Sequence, residues 1–213
     1  MGNFDATNFA ITALVIIFSI TLHEFGHAIA ADKLGDDTPR RQGRISLSPT
    51  AHLDPVGLVM ILMTCYFGVG LGWGKPVQVD FRNFRNERRD DVIVTIAGPT
   101  MNLLLALVFG LFLRFMISSG YASGIHPLLF QVCWLFVTCN LSLMFFNLLP
   151  IFPLDGSHIM RRFLPPQQGE QFYAWMQQFG PMILLGLVFF GGGILSSILS
   201  PAIANTTKII LGA

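Results

Sequence analysis

The stretch FAITALVIIFSITLHEFGHAIAA, residues Phe9–Ala31, combines the length of a membrane-spanning helix with three ionisable side chains. About 20 mostly apolar residues suffice for a helix to cross the hydrocarbon core of a bilayer. The ionisable residues, His23, Glu24 and His27, all lie in the second half of the stretch. Because such groups are costly inside a membrane, they usually serve a function there. The stretch therefore predicts a membrane protein and locates its functional site.

The composition also favours a membrane protein. Hydrophobic residues make up 53% of the 213 residues, charged residues only 12%, and the mean hydropathy is +0.61. A soluble domain carries roughly 25% charged residues, so this chain has too few to cover a water-exposed surface of its size. The net charge of +1 and the scattered basic residues give no indication of nucleic-acid binding.

Long uncharged segments predict an all-α integral membrane protein with about four to six transmembrane helices. Four segments are long enough to cross: Phe9–Ala31, Val92–Ile117, Leu128–Leu149 and Phe179–Leu199. A fifth, Pro55–Leu71, is short and rich in glycine. The tail after Pro201 is too short and too polar to predict a span.

The basic residues predict which segments share a membrane face, because loops rich in lysine and arginine stay in the cytoplasm. They form three groups: Lys33/Arg40/Arg41/Arg44, Lys75/Arg82/Arg85/Arg88/Arg89 and Arg161/Arg162. A complete crossing by Pro55–Leu71 would separate the first two groups, whereas a re-entrant or hairpin segment keeps all three on one face. We therefore expect such a segment after the first helix, four crossings and an external N-terminus, with a short fifth span as the alternative.

The pattern H-E-x-x-H at 23–27 indicates a metal site. On a helix, His23 and His27 lie one turn apart on the same face and can bind one ion. Glu24 can then act as general base toward a water molecule at that ion, as in zinc metalloproteases. The pattern alone recurs by chance in soluble helices, but its position in a membrane-spanning segment makes a purely structural role implausible.

A catalytic zinc site takes three protein ligands and leaves one position open. Asp155 is the only carboxylate between Asp91 and Glu170, and it follows the third predicted span. Pro150 and Pro153 exclude a regular helix just before it. The sequence therefore predicts an unwound stretch that brings Asp155 to the depth of the histidines, with Gly156 permitting a sharp change of direction.

Three motifs carry a resemblance to a known family. They are H-E-x-x-H at 23–27, A-G-P at 97–99 followed by Asn102, and N-x-x-P-x-x-x-L-D-G at 147–156. The stretches 43–57 and 72–77 add to the similarity, which covers roughly residues 8 to 160. On these motifs the chain resembles the site-2 protease family of intramembrane zinc metalloproteases, in a compact prokaryotic form without a PDZ or nucleotide-sensing domain.

The resemblance implies a role for each motif residue. His23, His27 and Asp155 are expected to bind one Zn²⁺ ion, and Glu24 to activate the attacking water. Asn147 is expected to hold the substrate backbone or the developing oxyanion. Asn102 is a weaker candidate for substrate contact, and an interhelical hydrogen bond is an equally good interpretation of it.

The resemblance also implies the protein's organisation and partners. We expect a single intramembrane metalloprotease domain over 1–213, with a catalytic core at about 8–160 and a C-terminal membrane segment at about 179–199. The expected substrate is a single-span membrane protein in the lipid bilayer, and any regulator is a separate protein. The expected location is a prokaryotic cell membrane, with the active site nearer the cytoplasmic face.

Two rival functions are open to discrimination. A catalytically silent membrane chaperone or adaptor that retained the zinc fold would be expected to lose Glu24 or a ligand, and all are present. A metal transporter usually needs a chain of polar sites across the membrane, whereas the ionisable residues here converge on one cluster. Outside that cluster, His52 is expected to be structural, and His158 to be a minor candidate for contact behind the metal ligands.

Overall fold

The computed structural model describes residues 5–68, 70, 72–120 and 126–212, and within them the chain is helical with no β-strand. The helices are α1 (Ala6–Leu34), α2 (Thr38–Arg41), α3 (Pro49–His52), α4 (Pro55–Phe67), α5 (Glu87–Ser118), α6 (Pro127–Asn147), α7 (Asp155–Phe163), α8 (Pro166–Phe189) and α9 (Gly192–Leu211). Five of these, α1, α5, α6, α8 and α9, are long and apolar enough to cross a membrane. The chain is thus an all-α, multi-pass membrane protein, as predicted.

Helices α1, α5 and α6 form the centre of the bundle. The carboxylate of Asp5 accepts the first free N–H groups of α1, and Gly35 ends that helix in the left-handed conformation that glycine adopts most easily. An apolar core joins α5, α6 and α9 through Ala106, Val137, Leu141, Met144 and Ile210. The first three predicted spans are confirmed, and each corresponds to a helix of similar bounds.

The segment after α1 returns to the place where it starts. Helix α4 has 13 residues, which is too short for a complete crossing of the hydrocarbon. Leu53, just before α4, forms an antiparallel bridge with Gly74, and the Lys75 N–H donates to the His52 carbonyl at 2.7 Å. Gly57 has no side chain at the point where the returning Trp73 packs against α4. The predicted hairpin is therefore present, as a short helix followed by an extended return.

The predicted C-terminal span is wrong in its bounds. The segment Phe179–Leu199 was expected to be one helix, but α8 ends at Phe189 and α9 begins at Gly192. The tail after Pro201, which was expected to be too polar for a span, forms the second half of α9. Hydropathy alone missed this arrangement because Gly191, Gly192 and Gly193 are compatible with an apolar window and also with a helix break.

Helices α8 and α9 together make one net traverse of the bundle. Helix α8 begins beside the start of α5, where the Arg88 guanidinium donates to the carbonyls of Arg162 and Leu164. Helix α9 ends beside the end of α5, where Gly212 lies against the side chain of Arg114. The ends of these two helices therefore match four net crossings, although five helices are long enough to span.

Cysteine labelling tests this topology. In a variant with the native cysteines replaced by serine, Lys208→Cys should react with a membrane-impermeant maleimide from the same side as Ser119→Cys. Arg85→Cys should react from the opposite side. Labelling of Lys208→Cys together with Arg85→Cys would instead show that α8 and α9 each cross completely.

Candidate metal centre and active-site cavity

Three side chains that are distant in sequence converge on one point. The Nε2 atoms of His23 and His27 are 3.1 Å apart, because the two residues lie one turn apart on α1. Asp155 faces both: Oδ2 is 3.3 Å from His23 Nε2, and Oδ1 is 3.4 Å from His27 Nε2. The structure thus brings together the three residues that the sequence predicts as ligands, in an arrangement that could hold a metal ion.

These distances fit a zinc ion. Ligand atoms at about 2.0–2.1 Å from a tetrahedral zinc are separated by about 3.3 Å, which is close to all three observed separations. Asp155 Oδ2 is buried and has no hydrogen-bond partner among the described residues. A buried carboxylate oxygen without a partner is unfavourable, and a cation at this point would satisfy it.

The opposite nitrogens of the two histidines face acceptors. His27 Nδ1 lies 2.8 Å from the carbonyl oxygen of Val94, and His23 Nδ1 lies 2.6 Å from Oδ1 of Asn102. A carbonyl only accepts, so each Nδ1 carries the proton and each Nε2 presents a lone pair. This is the arrangement of metal-binding histidines, whose second nitrogen usually donates to a carbonyl or carboxylate.

Gly98 gives the imidazoles their space. A Cβ atom at this position of α5 would lie 2.5 Å from Cε1 of His27 and 2.8 Å from Cε1 of His23. Pro99 follows and cannot donate a helix hydrogen bond, so the α5 backbone ladder is interrupted beside the histidines. The A-G-P motif therefore forms the wall against which the two ligands pack.

Gly98→Ala should reduce zinc affinity by at least about tenfold, because the added methyl displaces both imidazoles. The overpacking itself costs about 1–3 kcal/mol of stability. Competition with a chelator in detergent micelles measures the affinity. Gly110→Ala is the matched control, since it lies in the same helix and its Cβ meets Ile210 far from the site. Equal zinc affinities of the two variants would contradict this account of Gly98.

Asp155 reaches the site from an irregular loop, as the prolines predict. Helix α6 ends at Asn147, the chain turns through 148–154, and Asp155 begins α7, where a helix N-terminus favours its negative charge. Gly156 does not adopt a left-handed conformation, which differs from the expected reason for a glycine. It is needed because a side chain there would meet the carbonyls of Leu148 and Leu149.

Ion pairs fix α7 against α5. Arg162 pairs with the buried carboxylate of Asp91 and with the more exposed Glu87. On the other side of α7, Arg161 pairs with Glu170 of α8 at 2.7 Å. The helix that supplies the third ligand is therefore held between two neighbours.

Glu24 lies in a cavity of about 460 Å³ together with the three converging residues. Its Oε2 accepts the N–H of Val77 at 3.2 Å, so the extended return segment holds its carboxylate. The cavity lies between α1, α5, α6, α7, α8 and this segment, and its walls are mostly apolar. They include Ile20, Trp73, Leu143, Phe146 and Leu184.

A buried arginine holds the return segment in place. Arg44 is 3% exposed and donates to the carbonyls of Ala51, Lys75 and Pro76. Burial lowers the pKa of this guanidinium from its ordinary value, and the nearby Glu24 carboxylate acts in the opposite direction. Because Val77 directly follows these anchored residues, Arg44 positions the N–H that binds Glu24.

Arg44→Lys should loosen the return segment, because a single ammonium cannot span three carbonyls as a guanidinium does. Leaving buried carbonyls unpaired costs about 1–3 kcal/mol each. Limited proteolysis should therefore show about tenfold faster chymotrypsin cleavage after Trp73, with zinc affinity retained. Arg41→Lys, an exposed residue paired with Asp37, is the control and should leave the cleavage rate unchanged. Unaltered cleavage in Arg44→Lys would contradict the anchoring role.

The remaining predicted residues are placed differently from one another. Asn147 lines the cavity, and its amide nitrogen donates to the Leu143 carbonyl at 2.9 Å. Asn102 is fully buried behind His23 and bonds to Asn140 of α6, which favours the interhelical interpretation over substrate contact. His52 is buried and bonds to the Ser46 carbonyl, as a structural histidine does.

His158 lies on the cavity wall but faces away from a ligand role. Its Nε2 lies 3.0 Å from the hydroxyl of Tyr173 on α8. Burial lowers the pKa of His158, while Asp91 and Asp155 act to raise it. The sequence analysis missed three residues that support the site, Arg44, Asn140 and Arg162. A signal for two of them was present, since Arg44 is near the hairpin and Asn140 is a polar residue within a span.

A family model described as peptidase family M50 matches residues 115–190. YwhC of Bacillus subtilis (strain 168) is 42% identical over 160 residues, which cover 72% of this chain and 68% of YwhC. Rip2 of Mycobacterium tuberculosis (strain ATCC 25618 / H37Rv) is 32% identical over 174 residues, covering 80% of this chain and 63% of Rip2.

A more distant relative is the zinc metalloprotease MJ0392 of Methanocaldococcus jannaschii, 27% identical over 162 residues. YwhC and Rip2 are also named as zinc metalloproteases, both provisionally. The chain spans about two thirds of YwhC, less of Rip2, and 36% of MJ0392. No solved structure matches the chain.

Proposed function

Because this chain is a zinc metalloprotease of peptidase family M50, we propose that it hydrolyses peptide bonds within or near the transmembrane segments of membrane-protein substrates. The observation that carries the proposal is the convergence of His23, His27 and Asp155 beside Glu24 in a mostly apolar cavity. Since α1 is long and apolar enough to cross a membrane, peptide bonds that reach this cavity come from segments in or beside the bilayer.

His23, His27 and Asp155 hold one zinc ion in this proposal. Zinc bound in such a site polarises a carbonyl and lowers the pKa of a water molecule. Glu24 acts as the general base, taking the proton of the attacking water and passing it to the leaving nitrogen. The Val77 N–H that binds Glu24 supports this role, because it orients the carboxylate in the cavity.

Asn147 is the proposed donor to the substrate backbone or to the oxyanion that develops during attack. Its side chain lines the cavity on the α6 side, opposite the return segment. Stabilisation of an oxyanion by one such donor contributes about 2.7–4 kcal/mol in a well-studied protease. To reach that donor a substrate must be extended, because a helix keeps its carbonyls in internal hydrogen bonds.

The proposed location is a prokaryotic cell membrane, with the site nearer the cytoplasmic face. Support comes from the start of α5, which joins basic residues of the return loop and of α7. Val94, whose carbonyl faces His27, is seven residues along α5 from Glu87, or about 10 Å from that basic end. Substrates are proposed to be single-span membrane proteins, with regulation by a separate protein.

Glu24→Gln tests the role of the general base. We expect it to abolish cleavage of co-expressed single-span membrane proteins that the wild type processes, while bound zinc stays stoichiometric. His23→Ala combined with Asp155→Ala should instead lose the zinc. Immunoblotting of the substrates and metal analysis of the purified proteins measure the two effects.

Identical processing by wild type and Glu24→Gln would refute hydrolysis by Glu24 and favour the silent chaperone or adaptor. Stoichiometric zinc in the variant that lacks both ligands would refute the ligand assignment. An Arg41→Lys variant, altered on the exposed surface, controls for expression and membrane insertion. It should process substrates at the wild-type rate.

A further inference from the structure

We propose that Asn140 of α6 is a positioning residue that fixes which nitrogen of His23 carries the proton. It does so without touching His23, through Asn102 of α5. The inference rests on the proposed zinc-binding role of His23. Asn140, Asn102 and Ser19 are all fully buried, so the bonds among them are shielded from water.

The direction of the chain of hydrogen bonds follows from one backbone carbonyl. Asn140 Nδ2 lies 2.8 Å from the carbonyl oxygen of Phe136 and 2.9 Å from Ser19 Oγ. Because a carbonyl can only accept, the amide nitrogen of Asn140 must face it. The amide oxygen of Asn140 therefore points the other way, toward Asn102.

The same logic carries the direction to the metal site. Asn140 Oδ1 can only accept, so the group of Asn102 that faces it at 2.9 Å is the Nδ2 donor. Asn102 must then present its own oxygen to His23, at 2.6 Å from Nδ1. An acceptor at that position selects the imidazole with its proton on Nδ1 and leaves Nε2 free for a metal.

Loss of Asn140 removes this selection. An amide turned by 180° would present N–H to His23 Nδ1, which could then only accept. The proton of the neutral imidazole would move to Nε2, toward Asp155 and His27, where it prevents coordination. Asn102 alone can adopt either orientation, so Asn140 supplies the information that Asn102 transmits.

The test is zinc affinity, measured by competition with a chelator on purified protein in micelles. Asn140→Leu should lower the affinity by about 10- to 100-fold, the usual effect of changing residues behind a metal ligand. Asn140→Asp should retain most of it, because its carboxyl oxygen still accepts from Asn102 Nδ2. Ser142→Ala is the control in the same helix, since its hydroxyl donates only to the Thr138 carbonyl, and it should bind zinc normally.

A double variant separates positioning from packing. Asn102→Asp provides an acceptor-only partner for His23 Nδ1–H, so adding it to Asn140→Leu should restore most of the lost affinity. A packing role for Asn140 predicts the opposite, because it adds a buried carboxylate to a damaged core. If Asn140→Leu does not fold, Asn140→Asp and the double variant decide the question in the same way.

Wild-type zinc affinity in folded Asn140→Leu, or no recovery in the double variant, would overturn the proposal. A loss of affinity in Asn140→Asp equal to that in Asn140→Leu would do the same. Because zinc binding is read out separately from hydrolysis, these results do not depend on whether the protein cleaves a given substrate.

Discussion

Two lone pairs that face each other at 3.1 Å inside an apolar bundle constitute the constraint on which this structure depends. His23 and His27 present unprotonated nitrogens to one another, with a carboxylate of Asp155 facing both. Such an arrangement is unfavourable unless a cation lies among the three groups. The surrounding fold is organised to keep them together: Gly98 gives space, Asn102 and Val94 orient the rings, and α7 delivers the carboxylate.

The sequence predicted the parts of this fold whose signals are local. The spans corresponding to α1, α5 and α6 follow from length and hydropathy, and the hairpin follows from the positions of basic residues. The split between α8 and α9 was missed, because both halves and the junction at Gly191 are apolar. The hydropathy of a segment gives its total length in the membrane, whereas its path depends on contacts with other helices.

The same distinction explains what could be predicted of the site. H-E-x-x-H and Asp155 are recognisable because metal ligands are few and chemically specific. The residues that hold them are ordinary in type, and their role exists only through tertiary contacts. Gly156 illustrates this point: its conservation of space against Leu148 and Leu149 could not be distinguished from a turn in the sequence. Arg44 likewise gains its role from three carbonyls that are distant along the chain.

The attachment of α7 has a consequence for how the protein is made. The histidine pair lies on the first helix, whereas Asp155 follows about 130 residues later and is fixed by the pairing of Arg162 with α5. During synthesis, the early helices are therefore in the membrane well before the third ligand exists. The site is completed only when the C-terminal half docks, so a partly synthesised chain has no finished centre with which to attack its neighbours in the membrane.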